Sequence, residues 1–151
     1  MILSSEIKKY IDDSVLCWLA TSSADNTPNV SPKEVFTHFE GAYVIVANIA
    51  SPQTVRNIKE NPNVCVSFID VLVQKGYQLK GEAEIVQPSM PGYAAMEKKL
   101  TAITGGKFPF ATITRILISS AKPILAPSYQ LFSETKEEDL VADAKKRYGL
   151  M

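Results

Sequence analysis

The clearest pattern in the chain is a strict alternation of apolar and polar residues between positions 77 and 85. A period of two predicts a β-strand in a sheet that turns one face toward the core. The inward set consists of Tyr77, Leu79, Gly81, Ala83 and Ile85, and the outward set of Gln78, Lys80, Glu82 and Glu84.

Five other segments have the composition of strands, because they are short, rich in β-branched or aromatic residues, and separated by turn-forming residues. The segment at 15–22 is apolar at both alternating sets of positions, which predicts a strand covered on two sides and a buried Trp18. In the next segment, Pro32 predicts either an edge strand or a bulge. The five segments span residues 15–22, 29–39, 42–48, 64–69 and 111–119.

Four helices are predicted from the spacing of apolar residues and from helix-start signals. The first begins at Ser4 or Ser5, and the second has Ser51 as N-cap followed by Pro52 at its first position. The fourth follows a capping box formed by Thr135 and Glu138. The residues expected to face the core are Ile7, Tyr10, Ile11, Val55, Ile58, Tyr93, Met96, Leu100, Ile103, Leu140, Val141 and Ala144.

The order of these elements predicts the fold class. Six short strands with few intervening helices favour an antiparallel barrel over a doubly wound parallel sheet. The chain has 151 residues, a common length for one domain, and it contains no repeat or linker. We therefore predict a single domain over residues 1–151 that is mainly β, a small β-barrel with flanking helices.

Composition and charge narrow the classes of function. The chain has 16 Lys and Arg against 16 Asp and Glu, and this balance argues against a nucleic-acid partner, which normally selects a basic surface. No stretch reaches the roughly 20 apolar residues of a membrane helix, and the charged N-terminal segment does not resemble a signal peptide. These patterns predict a cytoplasmic protein that does not associate with membranes.

The residues that carry out most protein-only chemistry are scarce. The chain has one histidine, His38, and two cysteines, Cys17 and Cys65, both within apolar runs. This set contains no metal-binding motif, and a nucleophile–base pair would have to use His38. We therefore expect no metal site, buried reduced cysteines, and a cofactor that carries any redox or transfer chemistry.

Two segments are candidates for a binding site. The start of the second helix combines free backbone N–H groups with the hydroxyls of Ser51 and Thr54, and Arg56 and Lys59 follow, a combination that favours an anion. The second segment is VSPKE at 30–34, where Lys33 lies on a strand interrupted by Pro32. Each has a purely structural alternative, since Ser-Pro begins many helices and Pro and Lys protect edge strands.

The order of the motifs resembles a known family. PNVSPKEVF, AYVIVANIASPQTVRNIKENPNVCVSF and KGYQLKGEAEIV follow one another as in the flavin-binding split-barrel family related to pyridoxamine 5′-phosphate oxidase. The resemblance runs in register over residues 15–86 and more loosely beyond. It implies a six-stranded antiparallel split barrel of the FMN-binding type. It also implies a homodimer with flavin sites at the subunit interface.

The resemblance also implies roles for individual residues. Ser31, Pro32 and Lys33 would line the isoalloxazine and ribityl side of FMN, and Ala47 and Asn48 would continue that wall. Ser51, Gln53 and Thr54 would face the phosphate. Lys75, Gly76 and Tyr77 would approach from the partner subunit.

The chain departs from the family pattern in two places. Members often carry a cation at the position of Gln53, so phosphate binding would rely on Lys33 or Arg56. The Arg and Tyr residues that bind the pyridoxal substrate are not identified, so that reaction is not assigned. Tyr129 either stacks near the flavin or packs within the fold, and packing is the commoner use of a buried aromatic ring.

Three functional hypotheses follow. The leading one is an FMN-binding flavoprotein acting as an oxidoreductase on an unknown small-molecule substrate or electron donor. The second is a flavin-binding or storage module without turnover, which the lack of an acid or base near the proposed flavin favours. The third is a cofactor-free dimeric interaction barrel, which Gln53 in place of a cation favours.

Overall fold

The fold is described by a computed structural model that covers residues 1–150 and contains seven strands and five helices in that range. In chain order they are α1 (Ser5–Asp13), β1 (Cys17–Ser22), β2 (Pro28–Lys33), β3 (Phe36–Phe39), β4 (Tyr43–Ala47), α2 (Pro52–Glu60), β5 (Asn63–Asp70), β6 (Lys75–Val86), α3 (Tyr93–Thr104), β7 (Ile113–Leu125), α4 (Pro127–Leu131) and α5 (Glu137–Tyr148). This arrangement is the mainly β, curled antiparallel sheet with flanking helices that the sequence predicts.

One antiparallel sheet contains all seven strands. Their order is β2-β1-β5-β6-β7-β4-β3, so β2 and β3 form opposite edges although they follow one another in the chain. The two-residue link between them, Glu34 and Val35, therefore crosses from one edge of the curled sheet to the other. At the end of this link that precedes β3, the Ala47 amide of β4 donates to the Val35 carbonyl oxygen at 3.0 Å.

The prediction of six strands is wrong by one. The predicted second strand over 29–39 divides into β2 and β3, because Lys33 pairs with Cys17 of β1 whereas Phe36 pairs with Val46 of β4. The expectation about Pro32 is confirmed, since β2 is an edge strand and needs no backbone N–H from Pro32 on its open side.

Two apolar clusters fill the structure. The larger one lies inside the curl of the sheet, where Ile7 and Ile11 of α1 meet Leu19, Val66 and other strand residues. The second lies where α3 covers β3, β4 and β7 with Tyr93, Met96 and Leu100. Most predicted core residues are confirmed by these clusters.

Two predicted core residues lie at the surface instead. Ile103, in the last turn of α3, is 48% exposed, whereas Tyr93, Met96 and Leu100 of the same helix are buried. Trp18 is 47% exposed, and Val30 on the neighbouring strand is 58% exposed. The outer face of β1 and β2 is thus open within one chain.

The helix ends partly follow the predicted capping. Ser4 caps α1, since its Oγ accepts from the Ile7 amide at 3.2 Å. The predicted capping box of Thr135 and Glu138 is wrong: the N-cap of α5 is Lys136, whose side chain cannot accept a hydrogen bond, and only Asp139 contributes, by accepting from the Lys136 amide at 3.3 Å. No helix within residues 1–150 is long and apolar enough to cross a membrane.

Candidate functional site

Strand β2 and the start of helix α2 bring three predicted site residues together. Ser31 and Lys33 are two positions apart on β2, so their side chains share one face of the strand. On that face, Thr54 Oγ1 lies 3.1 Å from Ser31 Oγ and accepts a hydrogen bond from Lys33 Nζ at 3.3 Å. The two segments singled out by the sequence therefore form one cluster.

Lys33 carries its ammonium group into this cluster. Its residue is 6% exposed, and within the described chain it forms no ion pair, so its partner there is the neutral hydroxyl of Thr54. Burial lowers the pKa of Lys33 below its ordinary value of 10.5, because desolvation disfavours the charged form. A buried cation without a counter-charge favours an anion at this place.

Ser51 supplies a second unsatisfied group. It occupies the N-cap position of α2, but its hydroxyl makes no capping hydrogen bond. Its Oγ is buried and has no hydrogen-bond partner in the part of the chain described here, which is uncommon for a buried polar atom. The preceding residue, Ala50, has φ 48, a left-handed conformation that non-glycine residues adopt infrequently and often near functional sites.

These groups border an open cleft. It measures about 350 Å³ and is lined by Asn29, Ser31, Pro32, Lys33, Ile49, Ala50, Ser51, Pro52, Gln53 and Thr54. Six of the predicted site residues therefore line one space: Ser31, Pro32, Lys33, Ser51, Gln53 and Thr54. Backbone N–H groups at the start of α2 add further donors to it.

Helix α2 is held against the sheet by polar contacts that the sequence does not reveal. Asn57 is buried, and its Nδ2 donates to Thr21 Oγ1 on β1 at 3.0 Å. Gln53 Nε2 donates to Asn57 Oδ1 at 2.8 Å, and Arg56 Nη1 donates to Gln53 Oε1 at 3.2 Å. The Gln53 side chain therefore joins Arg56 and Asn57 within the helix, while Lys33 is a cation that lines the cleft.

The predicted wall residues have different surroundings. Ala47 lines a cavity of about 230 Å³ that adjoins the cleft and shares Pro32, Lys33 and Ile49 with it. The Asn48 side chain forms hydrogen bonds to two threonines, one directly before β7 and one within it. Its Nδ2 donates to Thr112 Oγ1 at 3.1 Å, and its Oδ1 accepts from Thr114 Oγ1 at 2.7 Å.

Lys75, Gly76 and Tyr77 lie away from this cleft in the same chain, at the start of β6. Lys75 Nζ donates to Glu137 Oε1 of α5 at 2.8 Å, and Tyr77 donates to Glu6 of α1. That hydrogen bond is the main cause that raises the pKa of Tyr77 to about 12. Their approach to a flavin bound by a partner subunit stays a prediction.

Tyr129 packs within its own chain. Its hydroxyl donates to the Val73 carbonyl oxygen at 2.6 Å, and Lys75 Nζ lies 4.5 Å from the centre of its ring. Tyr129 thereby joins α4 to the turn between β5 and β6. Of the two alternatives for this ring, packing within the fold is the one observed.

Three cavity residues, Val35, Ile49 and Phe108, were missed by the sequence interpretation. Phe108 belongs to the segment TGGKF, which the sequence indicated only as a helix end and loop, and no local pattern marks its position beside β2.

The cysteines are free, and burial raises the pKa of Cys17 to about 12. Residues 1–150 contain no group of three His, Cys, Asp or Glu side chains that could hold a metal.

Comparison with solved structures identifies the fold. HupZ from Group A Streptococcus is 26% identical with a TM-score of 0.69, over 80% of this chain and 92% of that chain. An FMN-binding protein from Syntrophomonas wolfei subsp. wolfei is 17% identical with a TM-score of 0.67, over 80% and 84%. HutZ, the heme storage protein from Vibrio cholerae, is 20% identical with a TM-score of 0.62, over 83% and 95%.

The family relationship comes from the sequence. A comparison with curated proteins yields no match. Residues 3–132 match the profile of a family described as pyridoxamine 5′-phosphate oxidase. This range contains every strand of the sheet and the cleft between β2 and α2, and it leaves α5 outside. The chain therefore belongs to the pyridoxamine 5′-phosphate oxidase family.

Proposed function

We propose that this protein binds FMN and places the cofactor's phosphate in the cleft between β2 and α2. The observation that carries the proposal is the buried ammonium of Lys33, whose partner is a neutral hydroxyl, beside the unpaired hydroxyl of Ser51. A phosphate would satisfy both groups at once, and the free N–H groups of α2 would add to its binding. The residues present thus fit the anionic end of the cofactor.

The remaining predicted residues would complete the site. Ser31 and Thr54 hold Lys33 in place through the hydroxyl contact between them. Pro32 and Ala47 line the adjoining cavity, which would receive the less polar part of the cofactor. Bound FMN supplies hydride or electron transfer, and we propose an oxidoreductase whose own residues bind, orient and shield the cofactor.

We further propose that the protein acts as a homodimer. Members of the family are typically dimeric, and the exposed outer face of β1 and β2, with Trp18 and Val30, offers an apolar surface for a second copy. C₂ dimers are also the commonest soluble oligomers. In such a dimer Lys75, Gly76 and Tyr77 would approach the flavin of the partner.

Calorimetric titration with FMN and riboflavin tests the phosphate site. We expect FMN to bind more tightly by at least about 10-fold, because riboflavin lacks the group that pairs with Lys33. Purified protein that has retained FMN should be yellow, with a flavin absorption spectrum. Equal affinity for the two ligands would contradict the assignment of the phosphate site.

A second measurement separates an oxidoreductase from a storage module. Protein loaded with FMN is mixed with NADH or NADPH, and the flavin absorbance and the consumption of the nicotinamide are followed. An oxidoreductase reduces its bound flavin and turns over when an electron acceptor is supplied. Tight binding without reduction by any donor would favour storage, and no binding of FMN would favour an interaction barrel.

A further inference from the structure

The cavity beside the cleft has a largely apolar lining. Glu34, Val35, Ala47 and Ile49 line it, and the half-exposed Phe108 lies at its rim. The two spaces adjoin each other, since Pro32, Lys33 and Ile49 line both of them. A ligand that spans them therefore needs an anionic end and a largely apolar end.

Phe108 reaches this cavity from the loop between α3 and β7. The loop leaves α3 through Gly105 and Gly106, which have φ values of 63 and 81. At its other end, Tyr93 Oη donates to the Ala111 carbonyl oxygen at 3.3 Å, and Phe110 packs against the α3 cluster. The contacts of Phe110 and Ala111 tie this end of the loop to the α3 cluster, and Phe108 lies between the two ends.

Phe108 has little structural use in the chain itself. It is 55% exposed, and it belongs to neither apolar cluster, in contrast to Phe110 two residues later. A large aromatic ring at the rim of an apolar cavity would be buried by a planar ligand. Aromatic rings pack well against such ligands in offset or edge-on geometry.

We propose that Phe108 is a cofactor-positioning residue that closes the cavity over the planar ring of the bound flavin. This inference rests on the proposed function, because it takes the cofactor's phosphate to lie in the adjoining cleft. Lys33 holds the anionic end and Phe108 covers the ring end, so the two residues act on different parts of one ligand.

The test combines binding with a spectroscopic signature. Phe108→Ala should raise the dissociation constant for FMN roughly 10-fold, the order expected when one stacking aromatic ring is removed. Phe108→Trp should keep the affinity and quench the emission of bound FMN, because an indole in contact with a flavin quenches it by photoinduced electron transfer. Phe132→Ala is the matched control, since Phe132 is 64% exposed on another part of the surface.

The outcomes separate this inference from the proposed function. The melting temperature of cofactor-free protein should not change in Phe108→Ala, since the ring is largely exposed without ligand. FMN binding by the unaltered protein, with unchanged affinity in Phe108→Ala and unchanged emission in Phe108→Trp, would overturn the role of Phe108 alone. Absence of FMN binding by the unaltered protein would overturn both proposals.

Discussion

At the scale of single residues, Lys33 combines two features that oppose each other in the ligand-free protein. Its ammonium is buried, and its partner is the neutral Thr54 hydroxyl. Desolvation of a cation destabilises the folded state unless an opposite charge compensates for it. Lys33 should therefore lower the stability of the ligand-free protein and contribute to binding an anion.

Replacing Lys33 by methionine separates these two effects. Lys33→Met keeps a long apolar stem and removes the charge, so the affinity for FMN should fall about 10- to 100-fold, the loss of a hydrogen bond to a charged group. The melting temperature of cofactor-free protein should stay the same or rise. Calorimetric titration and thermal unfolding measure the two quantities.

Lys98→Met is the control for the loss of one charge, because Lys98 is exposed on α3 and lies outside the cleft. The affinity of Lys98→Met for FMN should stay within about twofold of that of the unaltered protein. If Lys33→Met lowers the stability of cofactor-free protein and leaves FMN affinity intact, Lys33 is a structural residue of β2.

The pH dependence of stability gives an independent test of the buried cation. Because the pKa of Lys33 is lowered in the folded protein, the unfolded chain binds more protons between that pKa and 10.5. The stability of cofactor-free protein therefore gains a contribution as the pH rises through this window and loses it as the pH falls. Chemical denaturation at several pH values should show Lys33→Met as the more stable protein near neutrality, with a gap that narrows toward pH 10.5.

The sequence predicts part of this arrangement. Ser31 and Lys33 are two residues apart on a strand, so a shared face follows from the period of two. The sequence does not show that this face meets α2, because the contact joins residues more than 20 positions apart. The hydroxyl of Ser51 was expected to cap α2, and its lack of any capping hydrogen bond appears only in the tertiary structure.

At the scale of elements, β6 shows how close strand packing limits a single position. Gly76 pairs with Ile69 of β5. A Cβ built on Gly76 would collide with the Phe68 carbonyl oxygen and lie 2.7 Å from Ile69 Cα. Gly76 is therefore required by the backbone of its own chain, independently of any flavin on a partner.

Gly76→Ala should lower the free energy of unfolding by about 1–3 kcal/mol, because the added methyl group forces β5 and β6 apart. Denaturation by urea measures this loss. Glu82→Ala is a control on the same strand, since Glu82 is exposed and its truncation should change stability by less than about 0.5 kcal/mol. Unchanged stability in Gly76→Ala would mean that the strands tolerate a Cβ there and that the glycine serves another purpose.

Local patterns predict elements better than they predict pairing. The helix at Ser51 and the alternating strand β6 are both confirmed, because each has strong local signals. The division of residues 29–39 into β2 and β3 was missed, since a continuous β-rich segment does not show that its halves pair with different strands. The short helix α4 was also missed, because five residues are too few for a helical period to be recognised.

At the scale of the whole molecule, the outer face of β1 and β2 is apolar and open to solvent within one chain. Trp18 and Val30 lie on this face, and Pro32, which pairs with Trp18, also lines the cleft. A second copy seated here would cover the apolar face and would bring its own residues close to the cofactor. Binding between subunits would then link cofactor affinity to dimer stability.

Trp18→Glu should weaken the dimer, because it places a charge at the centre of this face. We expect light scattering over a dilution series to show the proposed dimer for the unaltered protein and monomers for Trp18→Glu at the same micromolar concentrations. Ile103→Glu is the matched control, since Ile103 is exposed to the same degree on α3. A dimer that survives Trp18→Glu but dissociates in Ile103→Glu would place the interface on the other side of the molecule.

The link between β2 and β3 has a consequence for the order of folding. Hairpins such as β1–β2, β3–β4 and β5–β6 join segments that are near one another in the chain, whereas β1–β5 and β4–β7 join distant ones. Distant pairings carry the larger loop-closure entropy and tend to form late. Lys33, on the β2 side of this link, meets Thr54 of α2 only when the distant pairings form, so a ligand held there acts after the rate-limiting step. Saturating FMN should therefore slow unfolding in stopped-flow denaturation while leaving the refolding rate nearly unchanged.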